Sequence, residues 1–378
     1  LYGQKQAGRV WNKYMTEHAI ALGFVQSKAD ECVFYFKSSV MLVYTDDCII
    51  MGPTDEELDI MVAKLKSALD IKEEGDICDY LGIKFTKEED NTISLTQPHL
   101  IASILKDLGL DKPNSTPADT PALSSKPLTK HLDKRRHDPN HFDYRSVIGK
   151  LNYLEKSTRP DISEAVHQCA RFSSNPRQPH TEAVKRIGRY LKGTADEGII
   201  MKPGKEQSFE CWVDASHAGE WQTEGVEDES SSARSRMGYV FTYANCPILW
   251  ASKMQTEIAL STTEAEYMAL SMAMREMIPL VRLFEEAKHH GIDIDVNKAV
   301  VKCTVFEDNE GAAEIATVHK FRARTKHIHL KYHHFREHVT SGLINIEKVP
   351  TEMQLADIFT KPLAIYLFTK HRLGIMGW

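Results

Sequence analysis

At 378 residues with 42% apolar content and a formal charge of −6, the chain carries enough apolar material for two or three domains. No uninterrupted apolar run approaches the roughly 18 residues that span a bilayer, and no charged n-region followed by an apolar h-region opens the chain, so an intracellular protein without a membrane segment is expected. The seven cysteines stand singly, without C-x-x-C spacing, which argues against a disulfide framework or zinc knuckle and predicts reduced core thiols. The negative total argues against nucleic-acid binding, but it hides local excess. Between residues 145 and 205 Lys and Arg number 12 against 6 acidic residues, and between 320 and 337 they number 6 against 1. Both are candidate phosphate-facing surfaces, although a solvated helix face explains either cluster almost as well.

In chain order, the first strong signal is MLVYTDDCIIM at residues 41–51. Two apolar runs flank Thr45-Asp46-Asp47, the pattern of a tight hairpin between buried strands with carboxylates at its tip. Adjacent carboxylates in an apolar setting repel each other and invite a cation. The functional reading is a two-metal site that activates one oxygen and stabilises another; a solvated turn explains Asp-Asp alone equally well. Leu58, Met61, Val62, Leu65 and Leu69 recur at helical spacing across residues 55–69. Residues 75–85 read as the next strand, and a helix follows from Pro98 to about Gly109.

Residues 111–143 change character, with five prolines among Ser, Thr, Lys and Asp, and predict a linker. Three helical stripes follow, through Val147 and Leu151, through Ile162 and Val166 after the Pro160-Asp161 start, and through Val184 and Ile187. Beyond Gln207 the pattern turns β-rich, and acidic residues fall at the ends of apolar runs. Asp214 closes the strand from Phe209, and Glu307-Asp308-Asn309 closes the strand from Val301. Ser261-Thr262-Thr263-Glu264 forms a capping box for a long helix, which leaves Glu266 without a local task. Asp357 opens a last short helix. Each carboxylate alone reads more readily as a cap or surface charge. His329 and His333 stand one helical turn apart, but no Cys or third oriented His completes a zinc set.

These words together resemble copia-type retrotransposon Pol proteins nearly end to end. Residues 1–11, LYGQKQAGRVW, are similar to the family's LYGLKQAPRAW, with Gln4 and Gly8 as departures, and Tyr44-Thr45-Asp46-Asp47 resembles the Tyr-x-Asp-Asp box of reverse transcriptases. Tyr80-Leu81-Gly82, Thr158-Arg159-Pro160-Asp161-Ile162 and Arg189-Tyr190-Leu191-Lys192-Gly193-Thr194 match further boxes, and residues 261–267 and 356–361 resemble SSTEAEY and ADILTK. The segment 216–237, with its acidic insert at 224–232, departs from the family pattern.

The resemblance implies an α+β and α/β multidomain protein. Its expected parts are a truncated reverse-transcriptase palm and thumb start (1–110), the linker (111–143), a helical connection (144–206), a ribonuclease H-like domain with a mixed five-stranded sheet (207–365) and a C-terminal tail (366–378). It implies two Mg²⁺ per active site, with Mn²⁺ as the substitute, held by Asp46 and Asp47 in the polymerase and by Asp214, Glu266, Asp308 and Asp357 in the nuclease. Glu264 stands as the alternative to Glu266. The polymerase site is expected to be incomplete, because its further aspartate and the family's protease and integrase belong upstream of Leu1. Partners implied are template RNA, primer DNA and an RNA–DNA hybrid, contacted by Arg186, Arg189 and Lys192 and by a basic helix carrying Lys326, Lys331 and Arg336. The implied location is a cytoplasmic virus-like particle, with the nucleus second. Two readings compete with an active enzyme: a decayed remnant and a non-catalytic nucleic-acid-binding module.

Overall fold

The computed structural model describes residues 4–123, 128–129, 135–138, 141–219, 233–294, 303–317 and 330–378. The opening Leu1, the acidic insert at 224–232, Lys326 and His329 lie outside the described residues. The chain divides into two units, residues 1–77 with 275–301, and residues 78–274 with 302–378.

The first unit contains α1 (Ala7–Ala21), a four-stranded antiparallel sheet in sequential order, and α2 (Asp55–Ala68); the strands are β1 (Val25–Gln26), β2 (Val33–Phe36), β3 (Ser39–Tyr44) and β4 (Asp47–Met51). Alternation along β2 buries both of its faces. Phe34 joins Met15, Met41, Met61 and Leu65 on one side, while Val33 and Tyr35 meet Leu283 and Ala287 on the other. The α2 helix starts where Thr54 accepts the Glu57 backbone N–H at 3.3 Å and Asp55, Glu56 and Glu57 complement the dipole.

In the second unit the stretch expected as one strand, residues 75–85, is instead a hairpin of β5 (Asp79–Tyr80) and β6 (Ile83–Lys87). Leu81 and Gly82 both take positive φ, 52° and 70°, as a two-residue hairpin turn with the twist of its strands requires. β7 (Ile93–Thr96) continues that sheet, and α3 (Pro98–Asp107), α4 (Tyr144–Ser157), α5 (Ser163–Ala170) and α6 (Gln178–Gly193) follow before β8 (Ile199–Met201) closes it beside β7. The described part of the proline-rich stretch is packed rather than free-standing: Thr120 and Phe142 are buried, and Pro117 lies against Gly193.

A buried knot ties the helices together. Arg159, fully enclosed, donates from Nε and Nη2 to the Asp161 carboxylate at 3.0 and 2.9 Å and from Nη1 to the Thr194 carbonyl at 2.8 Å, while Tyr190 Oη–H donates to Asp161 at 2.6 Å. Pairing and full hydrogen bonding are what make a buried guanidinium tolerable.

A five-stranded sheet follows, built from β9 (Phe209–Ser216), β10 (Arg236–Tyr243), β11 (Cys246–Met254), β12 (Cys303–Glu307) and β13 (Ile344–Lys348) in the order β11-β10-β9-β12-β13. The first three strands form an antiparallel meander, and β12 runs parallel to both β9 and β13. The long helix α7 (Thr262–His289), α8 (Glu310–Thr317), α9 (Arg336–Thr340) and α10 (Ile365–Met376) complete the chain. Residues 366–378, expected as a tail, are mostly α10, because Phe368, Ile375 and Met376 are buried in the same apolar cluster as Val147, Ile187 and Val240. The helices expected as a separate connection thus share one core with the five-stranded sheet.

Of the cysteines expected in the core, Cys169, Cys211 and Cys246 are buried, but Cys32, Cys48 and Cys78 are exposed. Their strand and turn positions face solvent, which the composition alone cannot reveal.

Candidate metal centre

The parallel strands β9 and β12 pair only as far as Trp212 and Phe306. Beyond that point Gln354 inserts its amide, donating from Nε2 to the Val213 carbonyl at 2.8 Å and the Phe306 carbonyl at 3.3 Å. Backbone acceptors that would otherwise be orphaned by the splay are satisfied, and the strand ends stand open. The crevice beyond the carboxyl ends of neighbouring parallel strands is where open α/β sheets place ligands.

Asp214 leaves β9 and Asp308 follows β12 at this opening, and Glu266 reaches it from the first turns of α7. Ligand oxygens of these three residues all lie within 4.8 Å of one another, the one such group of acidic, Cys or His side chains among the described residues. The capping box decides how α7 presents its glutamates. Ser261 Oγ accepts the Glu264 backbone N–H at 3.1 Å, and the Glu264 carboxylate accepts the Leu260 N–H at 2.7 Å. Glu264 is therefore engaged at the cap, and Glu266 lies in the cluster.

Asp357 adjoins the group through Asp214 rather than standing within it. Its carboxylate pairs with Lys361 Nζ at 2.9 Å, one helical turn on. Thr360 Oγ1–H donates to Asp214 Oδ2 from the same segment. That segment can lie across β10 because Gly238, the cross-strand partner of Asp214, has no side chain. A Cβ there would come within 2.5 Å of Phe359 Cβ. A fifth carboxylate, Glu307, is fully buried beside the cluster and accepts the Asn309 backbone N–H at 3.0 Å.

Burial decides the electrostatics. Asp214, Glu266, Glu307 and Asp357 are each no more than 4% exposed. Loss of solvation pushes the Glu266 carboxyl well above the usual range, and Glu307, Asp214 and Asp308 add repulsion. Burial does the same to Glu307, against the opposing Asn309 N–H. Asp357 is pushed up to about 7 by burial and by Asp214, with Lys361 resisting. Asp214 is raised by burial too, although Lys361 and Thr360 oppose it. Burial would lower the Lys361 ammonium, but Asp214 and Asp357 hold it up. Glu266 Oε2 and Glu307 Oε2 are buried without a hydrogen-bond partner among the described residues. An all-oxygen donor set, crowded, anionic and incompletely satisfied, fits a hard divalent cation.

The hairpin pair differs on every count. Asp46 and Asp47 are exposed at the β3–β4 turn, where Thr45 takes φ 53°. The Trp11 indole N–H donates to the Thr45 carbonyl at 2.6 Å and fixes the turn. Among the described residues no third acidic side chain joins them in a metal-sized group.

The expected phosphate contacts divide. Lys192 is taken up structurally, its ammonium donating to the Leu110 carbonyl at 3.0 Å, the Lys112 carbonyl and Ser115. Arg336 donates to the Ile315 carbonyl, and Lys331 pairs with Glu257. The basic helix expected around them is a short 3-10 turn, Leu330–His333, followed by α9. His333, of the zinc pair, instead shares a 2.7 Å hydrogen bond with the Tyr267 hydroxyl. Among the described residues expected to contact phosphate, Arg186 and Arg189 line an open cavity beside the carboxylates. The sequence assigned no task to Lys361, Thr360, Glu307 or Gln354; the signals it offered were the 356–361 stretch that holds Thr360 and Lys361 and the i, i+4 spacing of Asp357 and Lys361.

A reverse transcriptase (RNA-dependent DNA polymerase) family model matches residues 1–124. The chain is 33% identical over 372 residues to a retrovirus-related Pol polyprotein from transposon RE2 of Arabidopsis thaliana, covering 97% of this chain and 24% of that protein. It is 32% identical over 369 residues to the Pol polyprotein of transposon TNT 1-94 of Nicotiana tabacum, covering 96% of this chain and 26% of that protein. An uncharacterized mitochondrial protein of Arabidopsis thaliana is 31% identical over 240 residues, 63% of this chain and 92% of that protein. The chain spans about a quarter of the length of the Pol polyproteins it matches. It belongs to the copia-type retrotransposon Pol family.

Proposed function

We propose that the second unit is ribonuclease H-like and hydrolyses the RNA of RNA–DNA hybrids, and that the first unit is part of the palm that carries out RNA-directed DNA synthesis. The observation that carries the nuclease reading is the meeting of Asp214, Glu266 and Asp308 at the splayed ends of β9 and β12, with Glu264 engaged at the cap. Asp214, Glu266 and Asp308 would hold divalent cations, Mg²⁺ or Mn²⁺, with Asp357 adjoining through Asp214. Such ions, when bound, would supply the positive charge that activates water and stabilises a departing oxygen.

The chain's own residues prepare the site for that chemistry. Thr360 fixes the rotamer of Asp214 by its hydrogen bond, and Lys361 holds Asp357 in place while offsetting part of the carboxylate repulsion. Gln354 keeps the strand ends apart so that the carboxylates converge from three elements on one point. Asp46 and Asp47 are assigned to the polymerase metal site, and template, primer and hybrid are the proposed partners.

The test is cleavage of a labelled RNA–DNA hybrid in Mg²⁺ by wild type, Asp308→Asn, Glu266→Gln and Glu264→Gln. The expected result is activity in wild type and Glu264→Gln and none in the other two. A folded but inert wild type would establish the non-catalytic remnant instead, and a dead Glu264→Gln with an active Glu266→Gln would reverse the choice of glutamate. In a primer-extension assay with Mg²⁺ and dNTPs the same polypeptide should not synthesise DNA, because Asp46 and Asp47 have no third carboxylate among the described residues. Template-dependent extension would overturn that expectation.

A further inference from the structure

Beside the carboxylate site, and lined by α5, α6 and the segment after Phe359, lies a cavity of about 430 Å³. That volume lies within the range of roughly 300–1,000 Å³ typical of small-molecule pockets. Its lining carries five cationic residues, Arg186, Arg189, Arg234, Arg236 and Lys361, and two acids, Glu164 and Glu182. Apolar residues, among them Pro121, Leu128, Ala183 and Pro362, line the same space.

Arg186 is held there with its capacity unused. One of its terminal nitrogens donates to Thr120 Oγ1 at 2.9 Å, but its Nε is buried without a hydrogen-bond partner among the described residues. Burial and the neighbouring Arg189 both disfavour its charge, against a smaller pull from Asp119. Two half-buried guanidiniums side by side on an open space form a fork suited to phosphate oxygens, which accept several of their N–H groups at once. The apolar side chains of the lining give no hydrogen bonds and suit the flat face of a base. A bare anion would leave them idle, and an apolar ligand would leave the guanidiniums unmatched.

We propose that this cavity is a nucleotide subsite, seating the phosphate on Arg186 and Arg189 and the base against the apolar side chains of its lining. The ligand chemistry is that of a nucleoside monophosphate, supplied either as an unpaired nucleotide at a strand end or as a free nucleotide. The strand-end source rests on the nucleic-acid reading above; binding of the nucleotide itself does not.

Calorimetric titration of the full chain in EDTA with AMP, inorganic phosphate and adenosine tests it. AMP should bind, inorganic phosphate about tenfold more weakly or worse because it buries no base, and adenosine not measurably, since hydrogen bonds from charged groups each contribute about an order of magnitude or more in affinity. Arg186→Gln with Arg189→Gln should weaken AMP by about tenfold or more. Ala183→Trp should abolish AMP binding by filling the space while both guanidiniums remain, and thermal melts of each variant report folding. Equal affinity for AMP and inorganic phosphate, or undiminished AMP binding by a folded Ala183→Trp, would overturn the proposal. With AMP bound, displacement by a 5′-phosphorylated hybrid bearing a one-nucleotide overhang, but not by its blunt counterpart, assigns the strand-end source. AMP that stays bound at saturating overhang assigns the free nucleotide. AMP binding without hybrid cleavage would fault the catalytic reading and leave the subsite standing.

Discussion

Asp46 and Asp47 stand at an exposed hairpin tip, whereas Asp214, Glu266, Glu307 and Asp357 are buried beside Asp308 with Lys361 as their ammonium. The two acidic sites therefore carry different electrostatic loads. Water and salt screen the hairpin pair, so it costs the fold little without a cation. The buried group keeps its repulsion inside the sheet, where carboxylates either take up protons or wait for a counter-charge. Placement on the backbone, not the number of carboxylates, separates them: a two-residue turn projects side chains into solvent, while splayed parallel strands and a capped helix aim theirs at one another.

The comparison breaks most visibly at Asp308. Asp308→Asn should abolish hybrid cleavage and raise the melting temperature of the metal-free protein by about 1–2 °C, as expected for relief of roughly 1 kcal/mol of repulsion in a chain of this size. Asp46→Asn should leave that temperature unchanged; a comparable rise there would show that the hairpin is strained as well.

Lys361→Met comes next. It strips Asp357 of its ion pair, and denaturant unfolding at pH 7.5 should show a loss of about 2 kcal/mol. The loss falls short of that for a fully buried pair because the Lys361 side chain is 40% exposed. A neutral result would mean that Asp357 is already protonated at that pH.

Acidity sharpens the same contrast. For Asp357 the folded value of about 7 lies above the ordinary 3.8, so the folded state binds its proton more tightly than the unfolded chain does. That contribution to stability is complete below pH about 4 and is lost as pH rises through about 7. Glu266 and Glu307, raised in the same direction, add to the trend. Melting of the metal-free protein should therefore occur at progressively lower temperature from pH 4.5 to 7.5. Mg²⁺ should raise the melting temperature more at pH 7.5 than at 5, through its selective binding to the folded state. A metal effect independent of pH would contradict the link between the two.

The smallest effect belongs to Glu264→Gln, which should cost about 1 kcal/mol or less and leave cleavage intact. Chemical denaturation beside the hybrid assay measures both.

Much of this arrangement was legible from spacing. The hairpin around Asp46, the cap at Ser261 and the strand that delivers Asp214 all follow from local patterns, because turns, caps and alternation are short-range physics. The Glu264 and Glu266 alternatives separated for the same reason, since the capping box gave one of them a task. What stayed hidden depends on long-range packing. Lys192 and Arg336 read as phosphate contacts, yet each is taken up by backbone carbonyls of distant segments. Gln354 carries no sequence signal of its function, because its partners lie 141 and 48 residues away. The turn at Leu81 escaped because leucine rarely adopts positive φ, and α10 escaped because a short apolar stretch after Pro362 has no strong helical stripe.

The crowding of carboxylates around Lys361 also has an evolutionary consequence. Glu266 and Glu307, buried and crowded by like charge, burden the metal-free fold at neutral pH, so a copy under no selection for the carboxylate cluster loses little stability when such acids are replaced. Lineages that drift should lose Glu266 or Asp308 before they lose the Arg159 knot, whose disruption would leave a buried charge unpaired. Across copies of this element, the order in which these two sets of residues disappear would therefore separate the loss of the carboxylate cluster from the decay of the fold.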